Sequence, residues 1–356
     1  MTPGLSGSPR VAEAVIDLAA VRDNVRSLAA AAGSRALLVD MSGDAHGHGA
    51  AQVAEAALAA GAAALGTSRV GDAIALRSTV HAVPIVAWQH TRDTDFVAAA
   101  AASITVVVRS SEQLSAAIDA GVASLQLGVD AAGFAAFGPD AFVDACRSVA
   151  SLQSAGRLGP VGLMLGDGGA ASACATAREL GVELDAVHAV AASTGPTDDD
   201  VTMLRVGAEV LGLDETRGHR ATDVGLRPAM TVRAPVLAIK SALRGTGVSY
   251  GYIYYTTDDT RLALLSIGYG DGIDRAAGNV APIRVGGVTG RIAGRVAMDS
   301  CVVDIGDRVV AVGDWAVLFG DPAAGDPSAE EWADALGTSS AVVASRMTAR
   351  VVRKYR

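Results

Sequence analysis

The sequence predicts a (β/α)₈ barrel of the TIM type followed by a C-terminal, mostly antiparallel β domain. Two observations carry this. Short β-branched or apolar runs recur along the first part of the chain, most of them separated by roughly 20 residues that hold a helical pattern, which is the rhythm of a β/α barrel. Around Leu226-Arg227-Pro228 the texture changes to short strands joined by Gly-rich or Asp-rich turns, the rhythm of an antiparallel sheet. An open doubly wound sheet is the competing reading of the first pattern.

Taken in order, Ala14 to Leu18 reads as a strand, and Leu18 to Ala30 as a helix with Arg22, Asp23 and Arg26 on its polar face. Strand and helix then alternate: Leu37 to Met41 and Ala50 to Ala60, Ala63 to Thr67 and Gly71 to Leu76, Val83 to Trp88 and Asp93 to Ala101. The same alternation gives Ile104 to Val108 and Glu112 to Ala120, Leu125 to Val129 and Pro139 to Ser151, Val161 to Leu165 and Ala170 to Leu180. Val187 to Ala191 and Met203 to Val206 follow with less evident helices. Beyond the boundary, Thr231 to Leu243, Val248 to Tyr255, Leu262 to Ile267, Ile283 to Val288, Ile292 to Met298, Cys301 to Ile305 and Trp315 to Phe319 read as strands, before a helix at Ala329 to Leu336. The expected division is a barrel over 1–226 and a β domain over 227–356.

Composition narrows the function. A chain of 356 residues, 50% hydrophobic, can bury a large core in one big domain plus a smaller one. A net charge of −9 lacks the basic footprint of a nucleic-acid binder. No window holds eighteen uninterrupted apolar residues and Met1 to Arg10 lacks the apolar core of a signal peptide, so no membrane partner and a cytoplasmic location are expected. Cys146, Cys174 and Cys301 are scattered without metal-ligand spacing, which suits buried thiols in a reducing compartment and no metal. Lysine is the informative residue: Lys240 and Lys354 are the only two.

The chemistry gathers at Ser42-Gly43-Asp44-Ala45-His46-Gly47-His48-Gly49, a turn between the apolar run ending at Val39 and the helical pattern opening at Ala50. In a parallel barrel, the C-terminal ends of the strands are where reactions are done. Asp40 and Asp44 could act as an acid/base pair if an apolar setting split their pKa values, and His46 with His48 could bind a divalent metal beside them.

This stretch resembles Val-Lys-Ala-(Asp/Asn)-Ala-Tyr-Gly-His-Gly of the alanine racemase family. Further matches follow in order along the chain: Ala14 to Leu28; Val248-Ser249-Tyr250-Gly251; Ile267-Gly268-Tyr269-Gly270-Asp271-Gly272; Gly294-Arg295-Val296-Ala297-Met298-Asp299; and the ending Met347 to Arg356. The resemblance implies a head-to-tail homodimer with pyridoxal phosphate (PLP) at the barrel mouth and a Lys and a Tyr as the two acid/base groups. It places Tyr269 at the catalytic tyrosine, Met298 and Asp299 among substrate contacts, and Arg205 opposite the pyridine nitrogen. Gly207, Ala208, Ser193 and Tyr355 fall on the phosphate-binding positions.

Other positions depart from the family. Ser42 stands at the Schiff-base lysine and His46 at a phosphate-binding tyrosine. Gly128-Val129-Asp130-Ala131-Ala132-Gly133-Phe134-Ala135 stands where Lys-Val-Asp-Thr-Gly-x-x-Arg would supply a carbamylated lysine and the carboxylate-binding arginine. A histidine that would orient the tyrosine is missing near Gly166. The family carries the His48 position without metal. A hydroxyl forms no imine, so the sequence is expected to have lost PLP-lysine racemisation of alanine while keeping a dimeric pocket for a small-molecule ligand. The leading reading is an enzyme without covalent PLP, using Tyr269 with Asp44, His46 or His48. A non-catalytic binding or regulatory protein, and a racemase holding PLP noncovalently, are the alternatives.

Overall fold

The computed structural model describes residues 11–129, 137–166, 169–190, 199–216 and 218–356. The chain begins with β1 (Glu13–Ile16) and α1 (Leu18–Ala32), then β2 (Ala36–Asp40), α2 (Ser42–Gly47), α3 (Ala50–Ala59), β3 (Ala64–Thr67), α4 (Val70–Arg77), β4 (Ile85–Ala87) and α5 (Phe96–Ala101). It continues through β5 (Thr105–Val108), α6 (Ser111–Asp119), β6 (Leu125–Val129), α7 (Pro139–Ser154), β7 (Val161–Leu165), α8 (Ala170–Glu179), β8 (Leu184–Val190) and β9 (Met203–Val206). Strands β2 to β9 form a closed, parallel eight-stranded barrel, sealed where β2 pairs β9 through Leu38 and Arg205. The expected barrel is therefore present. Its helices start on side-chain caps where the sequence offers them, as at Asp95 to the Ala98 amide (2.8 Å) and Ser110 to the Gln113 amide (3.2 Å).

The barrel interior is filled by Leu38, Ala64, Val86, Trp88, Val107 and Met164, with Met203 against them. Glycines make room for the larger neighbours. A Cβ on Gly66 would come within 2.3 Å of the Trp88 ring, one on Gly128 within 2.9 Å of Arg109 Cγ, and one on Gly162 within 2.7 Å of Gln126 Cγ.

The second half holds β10 (Met230–Ala242), β11 (Gly247–Val248), β12 (Tyr254–Tyr255), β13 (Thr260–Leu265), β14 (Pro282–Val285), β15 (Val288–Arg291), β16 (Cys301–Asp304), β17 (Trp315–Phe319), α9 (Ala329–Leu336), α10 (Ser340–Ser345) and β18 (Val352–Tyr355). Its main sheet runs β15-β14-β17-β10-β1-β18, with β13 on β10 and β16 on β13. The pairing is mostly antiparallel, as expected.

Four expectations need correction. Ile283 to Val288 is no single strand, because Gly286 and Gly287, with φ of 61° and 75°, turn β14 back antiparallel into β15. The strand over Ala14 to Leu18 forms, but β1 pairs β10 antiparallel and β18 parallel, where Glu13 meets Arg233 (2.8 Å) and Lys354. Val248 to Tyr255 is no single strand, because Ser249 and Gly251 adopt φ of 61° and 72° and fold the middle into a 3₁₀ turn between β11 and β12. Ile292 to Met298 contributes only an isolated bridge from Ile292 to Val303. Its Ala297 and Met298 carbonyls accept instead from the Tyr269 and Gly270 amides at 2.9 and 2.8 Å.

The chain packs as two compact units. One gathers Leu211–Arg356 with β1 and His46–Gly49, and the other holds Arg22–Ala45 and Ala50–Val210. All three cysteines are buried and none forms a disulfide. Among the described residues no helix is long and apolar enough to cross a membrane.

Candidate functional site

At the C-terminal end of β2 the expected turn is a turn of left-handed helix. Gly43, Asp44, Ala45, His46 and Gly47 all have φ between 50° and 79°, a conformation that costs L-residues roughly 1–2 kcal/mol each. Its restraints are local and distant, the distant one being Arg353 Nε, which donates to the Gly47 carbonyl (3.1 Å). The Ala45 amide donates to the Met41 carbonyl (2.9 Å), Asp44 Oδ1 accepts the Ala50 amide (2.7 Å), and His48 Nδ1 lies 3.1 Å from the His46 carbonyl. Gly47 cannot carry a side chain, since a Cβ there would sit 2.9 Å from the Ala344 carbonyl.

Ser42 heads this turn. Its amide donates to Asp40 Oδ1 (2.8 Å) and its hydroxyl accepts the Ser68 amide (3.0 Å). His46 Nδ1 is buried and has no hydrogen-bond partner among the described residues. Asp44 also lines a cavity of about 410 Å³ with Met41, Gly43, Thr67, Arg69 and Asp72. Thr67 alternates with the inward-facing Gly66, so this cavity lies on the outer side of the barrel wall.

Inside the barrel, the residues toward the strand C-termini are polar. The Arg205 guanidinium lies 4.9 Å from the Trp88 ring centre. Burial lowers its pKa, while Asp40 and Glu209 act in the opposite direction. His188, 1% exposed, is held to a pKa of about 3, first by burial and then by the Arg205 charge. His90 is held to about 4, mainly by burial; the Arg109 charge adds to this, and the Ala87 and Val107 carbonyls oppose it without reaching hydrogen-bond geometry. Both rings are therefore neutral at ordinary pH. Gln113 ties this corner together, accepting the Arg109 amide (2.9 Å) and donating to the His90 carbonyl (3.3 Å).

Beyond β9 the Gly207 amide donates to Glu209 Oε2 at 2.9 Å, and Ala208 opens the short 3₁₀ turn Ala208–Leu211. Ser193 and Asp130 to Ala135 lie outside the described residues. Gly166 caps β7, its amide donating to the Val129 carbonyl at 3.0 Å.

In the C-terminal unit, Tyr269, Met298 and Asp299 come together. Tyr269 opens a 3₁₀ turn and is 42% exposed. Buried Asp271 fixes that turn by accepting the Gly268 amide (2.8 Å) and pairing with Arg350 Nε (2.9 Å). Arg350 reaches on to Asp299 at 2.5 Å. Tyr355 lies in β18 opposite Ile16. The two lysines belong to this unit as well, Lys354 paired with Glu13 and Lys240 exposed on β10 opposite Leu262.

The family model for the alanine racemase N-terminal domain matches residues 16–214, and the one for the C-terminal domain matches 229–355. The chain belongs to the alanine racemase family. It is 38% identical over 374 residues to the alanine racemase of Mycolicibacterium smegmatis, covering 97% of this chain and 94% of that one. With the Mycobacterium leprae alanine racemase the identity is 37%, over 97% and 95% of the two chains. The fold superposes on an alanine racemase from a D-cycloserine-producing Streptomyces lavendulae with a TM-score of 0.93 at 33% identity, covering 98% of each chain.

Set beside the family motifs, the sequence pointed to Ser42, Asp44, His46, Arg205 and the Tyr269 cluster. It missed Glu209, Arg109 and His90. A carboxylate two residues after Gly207 was the available signal for the first; the other two show only once β4, β5 and β6 stand side by side.

Proposed function

We propose that this chain is an alanine-racemase-family protein with a reworked site, which does not racemise alanine through a PLP-lysine aldimine and acts as a small-molecule enzyme without covalent PLP. One observation carries the reading. The residue at the lysine position is Ser42, whose hydroxyl is engaged by the Ser68 amide, and the unit holding the barrel contains no lysine. An imine needs a primary amine. Lys354 is spent on Glu13, and Lys240 lies on a β strand of the other unit. PLP supplies an electron sink when bound, but the residues present do not fit its attachment as an imine.

The groups left for proton transfer are Tyr269, half exposed beside Met298 and Asp299, and His46. Asp44 is already committed as the acceptor for the Ala50 amide, which supports a positioning role for it in the turn. Arg205, packed over Trp88, is the cation that would orient a polar ligand in the barrel. We read 1–226 as the barrel domain and 227–356 as the domain that completes a partner's pocket in a cytoplasmic homodimer. Exposed Tyr250, Tyr252, Tyr255 and Met298 support that assembly, because soluble monomers rarely present many large apolar groups.

The test is the absorption spectrum of the purified, dialysed protein with no PLP added, recorded before and after borohydride treatment. The reading expects no violet absorbance before reduction and no fixed adduct after it. A borohydride-fixed adduct would overturn it.

A further inference from the structure

We propose that Glu209 is a built-in anion that shuts this end of the barrel to phosphate, so that the ligand of this chain is an unphosphorylated small molecule. The inference rests on the reading of a site reworked away from PLP and names the ligand class that such a site takes.

The Gly207 amide stands at the start of the 3₁₀ turn Ala208–Leu211, where backbone N–H groups lack acceptors within the turn and an external oxyanion would ordinarily be welcome. Here the acceptor is internal. Glu209 folds back by two residues and places Oε2 2.9 Å from the Gly207 nitrogen. A carboxylate tethered so close is present at a very high effective concentration, which a free phosphate ester must outcompete.

The charges point the same way. Arg205, two residues before Gly207, is largely buried over Trp88, and the carboxylates that offset its charge are Asp40 and Glu209. The arginine therefore has its counter-ions within the barrel unit. A phosphate arriving at Gly207 would displace one carboxylate, stay beside it, and place up to two further negative charges next to that carboxylate. His46 stands where the family resemblance implies a phosphate-binding tyrosine, so one of the hydroxyls implied there is lost, while Ser193 and Tyr355 keep theirs. A ligand without phosphate meets none of these obstacles.

The experiment compares pyridoxal phosphate with pyridoxal, two probes that differ by the phosphate alone. Equilibrium dialysis is run on the full chain and on Glu209→Ala and Glu209→Gln, the second keeping the side chain's size should the first fail to fold. Wild type is expected to hold pyridoxal phosphate no more tightly than pyridoxal. Removing the carboxylate should raise affinity for pyridoxal phosphate at least about tenfold, the worth of one charge-assisted hydrogen bond, and that for pyridoxal by less than about threefold. The proposal is overturned if wild type prefers the phosphate form tenfold or more, or if both variants leave the ratio unchanged, including by binding neither probe. Borohydride fixation reports imine formation and not phosphate preference, so failure here and failure of the reading above are separate results.

Discussion

The Ser42 hydroxyl accepts the Ser68 amide at 3.0 Å, tying the head of the left-handed turn to the chain just past β3. Serine at this position is thus a working part of the local structure. Replacing it by lysine removes that acceptor and leaves a backbone N–H to find another.

Ser42→Lys should therefore lower stability by about 1 kcal/mol, the usual worth of one such bond. It should not bring back alanine turnover, because Gly128, Ala135 and His46 still stand where the family resemblance implies a lysine, an arginine and a tyrosine. Thermal melts and a chiral alanine assay of the variant with PLP check both halves. A large recovery of turnover from this single change would show that the losses are fewer than the sequence suggests.

Gly128 and Arg109 form a coupled pair. A Cβ at Gly128 would lie 2.9 Å from Arg109 Cγ and 3.2 Å from its Nε. Gly128→Lys alone should cost about 1–3 kcal/mol through overpacking, and Arg109→Ala in the same chain should return much of it. Denaturant melts of the two single variants and the double variant measure the coupling. Simple additivity would contradict the contact.

Two histidines of the barrel unit oppose acid. His90 and His188 titrate at about 4 and about 3 in the fold, below their ordinary 6.5. Between those values and 6.5 the unfolded chain binds protons that the folded chain does not, so their contribution is complete above pH 6.5 and falls as pH drops below it. The melting temperature should decline from pH 7 to pH 5, and decline less in a His90→Gln/His188→Gln double variant. Equal slopes would mean that other groups set the acid limit.

Tyr269→Phe removes one hydroxyl from a residue whose backbone is held by the Ala297 carbonyl. It should abolish whatever activity or ligand affinity is found while leaving a homodimer at micromolar concentration in sedimentation. A monomer would refute the assembly, and an unchanged variant would refute the site.

Most of the fold was legible because short apolar runs and helical patterns alternate from Leu37 to Leu180. What sequence concealed was long-range or conformational. β1 looks like the opening strand of the barrel, yet its Glu13 finds Arg233 and Lys354 in the other sheet. The glycines at 43, 47 and 49 marked a turn, but its left-handedness needs the whole run of positive φ, including Asp44, Ala45 and His46. The Arg109 side chain fills space over Gly128 that only strand pairing reveals. Motif order located the Tyr269 cluster, while the hold of Arg350 on Asp271 and Asp299 came from contacts about 50 to 80 residues apart.

The central claim is tested most directly by incubating the purified protein with PLP and L-alanine, then separately with D-alanine, and resolving the enantiomers by chiral chromatography. The account predicts no interconversion above the buffer-plus-PLP control. Enzyme-dependent formation of the opposite enantiomer, proportional to protein concentration, would contradict it.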